Sequence, residues 1–177
     1  MKGISLIEKS ALGFEYEEDE LTNKIDLLLV YAGVKRAATF DYFNGSFNLA
    51  YCLDLFRILR LNYCVEMPNK WVNGDELIYE FGVHVVKDYY WMGFVKSDNP
   101  ILVGRAYNYP ETSIEAFVGQ LPKADFEITD DPVLDFFCDF TFSEYYYKHE
   151  LKTPMYWMSM LRKLSPLLLS RLKKRRS

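Results

Sequence analysis

Apolar residues recur at helical spacing between residues 17 and 33. They fall at i, i+4, i+7, i+8 and i+11, which is one stripe of a helix: Leu21, Ile25, Leu28, Leu29 and Ala32. Four consecutive carboxylates at positions 17–20 precede the stripe, where the positive end of the helix dipole favours negative charge. Gly33 is placed to end the helix. The pattern predicts a helix and assigns the acidic run to its terminus rather than to a metal site.

A strand and a second helix are predicted next. Residues 36–43 indicate the strand, and Asn-Gly at 44–45 indicates a turn. Ser46 is then the N-cap of a helix over residues 47–61. Because that helix is apolar nearly all round, we expect it to be buried at the centre of the fold.

The clearest β signal lies between residues 77 and 95. Two runs rich in β-branched and aromatic residues, 77–86 and 89–95, flank the polar pair Lys87-Asp88. This arrangement is typical of a β-hairpin. The segments 61–67 and 125–129 are candidates for further strands. We therefore expect a small antiparallel sheet.

Proline next to a capping residue marks four helix starts in the second half of the chain. They are Asn99-Pro100, Tyr109-Pro110, Asp131-Pro132 and Thr153-Pro154. The third opens a predicted helix that runs to about residue 149. The expected fold class is α+β, a small antiparallel sheet around a central hairpin, covered by helices, with a C-terminal helical tail. We place one domain at 1–150 and a basic amphipathic tail at 151–177.

The segment 100–118 has a short predicted helix that ends near a glycine, then a Tyr-Pro-Glu-Thr sequence and a second predicted helix. The residues that carry this pattern are Gly104, Tyr109, Pro110, Glu111, Thr112, Ala116 and Phe117. In this segment the chain resembles uncharacterised, mostly archaeal proteins, and Asn108 stands where the resemblance leads us to expect glycine. The resemblance implies a helix–YPET–helix segment and no particular activity.

Charge is divided unevenly along the chain. Residues 1–150 hold 13 basic and 25 acidic side chains, a net charge of −12, whereas residues 151–177 hold 8 basic and no acidic ones. This asymmetry predicts an anionic contact for the tail. Its candidate binding residues are Trp157, Arg171, Lys173, Lys174, Arg175 and Arg176.

The tail has four alternative interpretations. It can pack on the domain and end in a solvated basic terminus, dock on a protein or on its own chain, lie on an anionic membrane, or contact a nucleic-acid backbone. The anionic remainder of the chain would repel phosphate, which disfavours nucleic acid. We therefore expect a protein partner or self-association, with the membrane surface as the alternative.

An acidic stripe is predicted along the helix that begins at residue 131. It consists of Asp131, Asp135, Asp139 and Glu150. Carboxylates four residues apart on a helix repel one another, and acids along a straight helix do not converge on a metal. The stripe indicates either a plain solvated face or a basic partner, for which the tail itself is a candidate.

Acid–base chemistry is restricted because the chain has only two histidines. His84 lies inside the predicted hairpin, and Glu80 is about 13 Å away along a strand that rises about 3.3 Å per residue, so the two cannot touch. The candidate catalytic residues are His84, Asp41, Asp54 and Glu66, in an arrangement that the sequence does not reveal.

Common catalytic and metal-binding motifs are lacking. Cys52, Cys64 and Cys138 do not have the close spacing of zinc ligands, and we expect all three to be buried and inert. The chain has no glycine-rich phosphate loop. We expect neither a metal nor a cofactor.

Composition favours binding over catalysis. The 14 Tyr and 13 Phe exceed what one core of this size hides, and aromatic residues favour interface cores. The leading expectation is a non-catalytic binding or regulatory protein that contacts a protein partner in the cytoplasm. A small-molecule enzyme with a carboxylate-based site and a peripheral membrane protein that binds through its tail are the alternatives.

Overall fold

The computed structural model describes residues 2–12, 17–43, 49–66, 69–73 and 76–176. The chain forms two compact units, residues 1–93 and 94–177, called here the N-terminal and C-terminal units. The predicted division into 1–150 and 151–177 stays a prediction. The helices of the tail nevertheless pack within the C-terminal unit.

The N-terminal unit combines helices with an antiparallel sheet. In chain order its elements are α1 (Lys2–Lys9), α2 (Glu17–Tyr31), β1 (Ala37–Phe43), α3 (Leu49–Ile58), β2 (Asn62–Val65), β3 (Asn69–Asn73) and β4 (Glu76–Val86). A 3-10 turn, Tyr89–Trp91, and α4 (Met92–Val95) follow at the boundary of the two units. The predicted α+β class is confirmed.

Strand β4 is the common partner of the described strands. Residues 80–86 pair with β1, residues 83–86 with β2 and residues 76–80 with β3, all antiparallel. The observed hairpin is therefore β3–β4, in which Asn73 pairs with Glu76. The predicted hairpin of 77–86 with 89–95 is wrong, because the second run is helical.

The helical conformation of the second run has a local cause. The Asp88 side chain accepts a hydrogen bond from the Tyr90 backbone N–H at 3.0 Å, which caps the 3-10 turn. The backbone thus leaves the extended conformation immediately after β4. The strand predicted at 125–129 is also wrong, since that segment has no regular secondary structure.

Helix α2 is the centre of the N-terminal unit. The predicted apolar stripe is buried at Leu21, Ile25, Leu28 and Leu29, and Gly33 has a φ of +76° just beyond the helix. The C-terminal half of α2 is buried all round, and the helix packs on β1 and β4. The expectation that α3 is buried at the centre is wrong, because α3 presents Tyr51 and Ile58 to solvent. The predicted turn and cap at 44–46 lie outside the described residues.

The C-terminal unit is helical. Its elements are α5 (Pro100–Ala106), α6 (Glu111–Phe117), α7 (Pro132–Asp135), α8 (Tyr147–Glu150), α9 (Lys152–Leu164) and α10 (Pro166–Arg176). Asn99 and Asp131 cap α5 and α7 through their side chains, as predicted. One residue, Ser165, separates the end of α9 from Pro166, which begins α10, because proline cannot continue a helix.

The long helix predicted from residue 131 to 149 is wrong. The chain is helical only at α7 and α8, and the intervening residues turn repeatedly. The turns allow this segment to bury several of its rings at once. Phe137 and Phe142 are both buried, and the rings of Phe140 and Phe142 stack with centroids 4.6 Å apart. A straight helix would direct these rings to different faces and would leave some in water.

The tail packs on its own unit. Helix α10 contacts α7 and α9, and it buries Leu168, Leu169 and Leu172, while α9 buries Trp157. The Arg176 guanidinium lies 5.8 Å from the centroid of the Phe136 ring that follows α7. Among the described helices none is long and apolar enough to cross a membrane.

Adjacent leucines of α10 test this packing. We expect Leu168→Ala to lower the free energy of unfolding by about 2–5 kcal/mol, because the side chain is fully buried. Leu167→Ala is the control and should change it by less than about 0.5 kcal/mol, since Leu167 is 49% exposed. Urea unfolding followed by circular dichroism measures both, and equal effects would show that α10 does not pack as described.

Candidate functional site

A cleft of about 800 Å³ lies in the C-terminal unit between α5, α6 and residues 138–141. One wall is aromatic. Tyr107 and Tyr109 stack with centroids 5.8 Å apart, and Tyr109 lies 5.2 Å from Phe140. Phe140 is backed by the buried Trp157, at 6.2 Å. The wall is therefore joined to the core and holds its shape.

The rest of the lining is apolar with a few polar groups. Val103, Ile114 and Phe117 contribute apolar surface, and the Phe117 ring is 57% exposed. Within the described lining the charged side chains are two carboxylates, Asp98 and Asp139. The volume and the balance of apolar and polar groups are those of ligand-binding sites.

A buried carboxylate fixes the position of α6 beside the cleft. Glu150 has no exposed surface, and its two oxygens accept hydrogen bonds from the Thr112 hydroxyl at 2.5 Å and the Ser143 backbone N–H at 2.9 Å. The same carboxylate thus connects α8 to α6 and to Ser143, which follows the cleft-lining residues 138–141. A buried charge requires such partners, because leaving it unpaired costs several kcal/mol.

The connection between α5 and α6 is held by an ion pair. The Arg105 guanidinium donates to both oxygens of Glu111, through Nε at 2.9 Å and 3.2 Å. Asn108 between them has a φ of +67°, a left-handed conformation that glycine adopts most easily.

Cys138 lines the cleft in an environment that disfavours its thiolate. Burial, with the neighbouring Asp135 and Asp139 carboxylates, raises the pKa of its thiol to about 12. A thiol with that pKa stays protonated at neutral pH, and the thiolate is the nucleophile. The cleft therefore offers binding surface rather than a cysteine nucleophile.

A second cluster lies on the sheet of the N-terminal unit. Thr39, His84 and Cys64 are direct partners across β1, β4 and β2, so their side chains share one face. His84 Nδ1 lies 2.8 Å from Thr39 Oγ1, and Nε2 lies 2.7 Å from Glu66 Oε1. Two of the predicted catalytic candidates, His84 and Glu66, are thus in hydrogen-bond contact.

Gly82 leaves room for the contact between Glu66 and His84. The Glu66 backbone N–H donates to the Gly82 carbonyl at 2.8 Å, and the Glu66 side chain then passes over Gly82 towards the next residue on that face. A Cβ atom at Gly82 would lie 3.0 Å from Glu66 Oε2. His84 is only 7% exposed, whereas the Glu66 side chain is 50% exposed.

The other predicted site residues are dispersed. Asp54 pairs with Arg57 at 2.7 Å on the exposed surface of α3, as expected for a surface ion pair. Asp41 is opposite Gly82 in the strand register, and its side chain lies outside the described part of the chain. Neither candidate is shown next to His84.

The acidic stripe does not exist as predicted. Asp131 caps α7, Asp135 and Asp139 are exposed, and Glu150 is buried on a different helix. The predicted basic residues are exposed on α10, and Trp157 of the predicted binding set is buried instead. Helix α10 nevertheless contacts α7, the helix that carries Asp135.

The sequence interpretation missed Thr39 and the aromatic wall. Tyr109 carried the family resemblance, but nothing in the spacing connected it to Phe140. Among the described residues no group of three or more His, Cys, Asp and Glu side chains could hold a metal ion. Comparison of the chain with protein-family models, curated proteins and solved structures found no match. The resemblance of 100–118 stays an expectation.

The Arg105–Glu111 pair predicts a pH dependence. Hydrogen bonds from Arg105 lower the pKa of the Glu111 carboxyl, so the pair stabilises the fold above the pKa of the unfolded state, and this contribution is lost as the pH falls through the folded-state pKa. Arg105→Gln should therefore lower the urea midpoint at neutral pH and have no effect in strong acid. Arg162→Gln, on the exposed face of α9, is the control. A difference that persists unchanged in acid would exclude the pair as its source.

The Cys138 thiol gives a chemical test. At pH 8 a thiol of pKa about 12 is a thiolate in about one molecule in ten thousand. We expect alkylation by iodoacetamide to be at least about hundredfold slower in the folded protein than in the same chain unfolded in urea. Peptide mapping by mass spectrometry measures the two rates at Cys138, and similar rates would contradict the environment described.

Proposed function

We propose that the protein is a binding protein whose aromatic cleft accepts a segment of a protein partner. The observation that carries this proposal is the wall of Tyr107, Tyr109 and Phe140 beside the exposed ring of Phe117. Large exposed rings around a cavity are typical of binding surfaces, and tyrosine is enriched at interface cores.

The charge of the lining supports a cationic segment. Asp98 and Asp139 are exposed carboxylates, and rings attract cations through their faces. The Phe117 ring already has the Lys123 ammonium 5.5 Å from its centroid, which illustrates this preference. The best ligand is therefore a bulky apolar or aromatic side chain next to a lysine or arginine.

The cleft supports binding without chemistry. Its one thiol is held protonated, and no histidine is among the described residues that line it. A protein segment suits the exposed ring of Phe117 at the cleft, since a peptide can cover that ring and insert a side chain at the same time. The non-catalytic binding role therefore rests on the C-terminal unit.

The basic tail supports a membrane role less directly. Leu168, Leu169 and Leu172 are buried against the unit, so the apolar face of α10 is already occupied. An amphipathic helix inserts its apolar face into the bilayer, whereas α10 offers mainly its basic face. Membrane binding stays an alternative that depends on charge alone.

Matched peptides test the cleft. We use the blocked tetrapeptides Lys-Phe-Leu-Lys and Glu-Phe-Leu-Glu at millimolar concentration and follow chemical shifts of the protein by NMR. The lysine peptide should bind more tightly, by up to about fivefold, because one partly exposed charge pair contributes up to about 1 kcal/mol. Asp98→Asn should reduce this preference, and Tyr109→Ala should weaken binding of both peptides.

Tyr145→Ala is the matched control, because Tyr145 is 67% exposed in the same unit and does not line the cleft. It should leave both affinities unchanged. Equal binding of the two peptides, or shifts that do not map to the cleft, would overturn the proposal.

A further inference from the structure

The geometry points to a second, chemical activity in the N-terminal unit, in which Thr39 is a nucleophile that an activated ester acylates. Thr39, His84 and Glu66 form a continuous row of hydroxyl, imidazole and carboxylate, with contacts of 2.8 Å and 2.7 Å. This is the arrangement of nucleophile, base and orienting group that activates a hydroxyl.

The carboxylate determines which nitrogen of His84 can act as the base. A carboxylate only accepts hydrogen bonds, so Nε2 must carry the proton that it donates to Glu66 Oε1. Nδ1 of the neutral ring is then the acceptor, and it faces Thr39 Oγ1. Glu66 thus selects the tautomer that can remove the hydroxyl proton.

His84 and Thr39 are buried to different extents, and this difference suits their proposed roles. His84 is almost enclosed, while Thr39 is part-exposed and lies on β1, an edge strand of the order β1-β4-β2 among the described strands. Thr39 thus keeps some exposure to solvent, while the imidazole beside it is enclosed. Gly82 leaves the space through which Glu66 reaches His84.

The reaction balances with an ester and water alone. Thr39 Oγ1 attacks the ester carbonyl carbon while its proton passes to His84 Nδ1, and the tetrahedral adduct collapses to acyl-Thr39. The leaving alcohol takes the proton from Nδ1. Water then attacks the acyl group through the same base, which releases a carboxylic acid and restores the hydroxyl. The Glu66 carboxylate stabilises the imidazolium in both halves.

The test uses the full chain with p-nitrophenyl acetate, and it follows p-nitrophenol release and the acetylated residue by peptide mapping. We expect acetylation of Thr39. Thr39→Val should abolish it, and His84→Gln should slow it by at least about hundredfold. Glu66→Gln should slow it by at least about tenfold, because it removes the carboxylate from Nε2. Gly82→Ala should slow it less, because the added Cβ atom only displaces the Glu66 carboxylate slightly.

Two variants serve as controls. Asp54→Asn removes an exposed carboxylate of the same unit that pairs with Arg57, and it should leave the rate unchanged. Cys64→Ser tests whether the Cys64 thiol, rather than the Thr39 hydroxyl, is the nucleophile, because Cys64 is also opposite His84. This variant should still become acetylated at Thr39.

Acetyl groups found only on Cys64 or on lysines would overturn the inference, as would a Glu66→Gln rate equal to that of the unmodified chain. The latter result decides the matter even if Thr39→Val does not fold, because the Glu66 side chain is half exposed and its amide is nearly isosteric. Binding at the cleft of the C-terminal unit is measured separately and does not depend on this outcome.

Discussion

The fully buried Glu150 carboxylate is the constraint on which the candidate cleft depends. A carboxylate removed from water must accept hydrogen bonds from the protein, and here the donors are the Thr112 hydroxyl and the Ser143 backbone N–H. These donors belong to α6 and to the segment that follows Phe142. The hydrogen bonds to this one carboxylate therefore hold α6 and the segment after Phe142, on the two sides of the aromatic cleft. Apolar packing around Trp157 holds the aromatic wall.

Local chemistry made part of this structure predictable. Helix ends depend on neighbours within a few residues, so the sequence contains all the information that predicts them. This holds for the cap residues Asn99 and Asp131 and for the left-handed Gly33 after α2. Misassignments arose where two local preferences compete. Tyr89 to Val95 has strand-forming residues, yet the cap at Asp88 turns it into a helix. That aspartate was visible as a helix-start signal.

The sites were less predictable than the elements, because they depend on register. Glu66 and His84 are far apart in sequence, and only the pairing of β2 with β4 places them on one face. Distance along the strand excludes Glu80 as the partner of His84, but it does not indicate which residue of another strand takes that place. Similarly, the contact between Tyr109 and Phe140 requires the turns between α7 and α8, which replaced the helix expected there.

The central position of β4 also has a consequence for the order of folding. Strand β1 ends at Phe43, but its partner spans residues 80–86, so the sheet cannot begin to assemble on that side until the chain has been synthesised past β4. Pairing over such sequence separations is slow, because a long loop must close before any contact stabilises it. During synthesis β1 therefore remains with unpaired backbone groups, and unpaired strand edges of this kind favour aggregation.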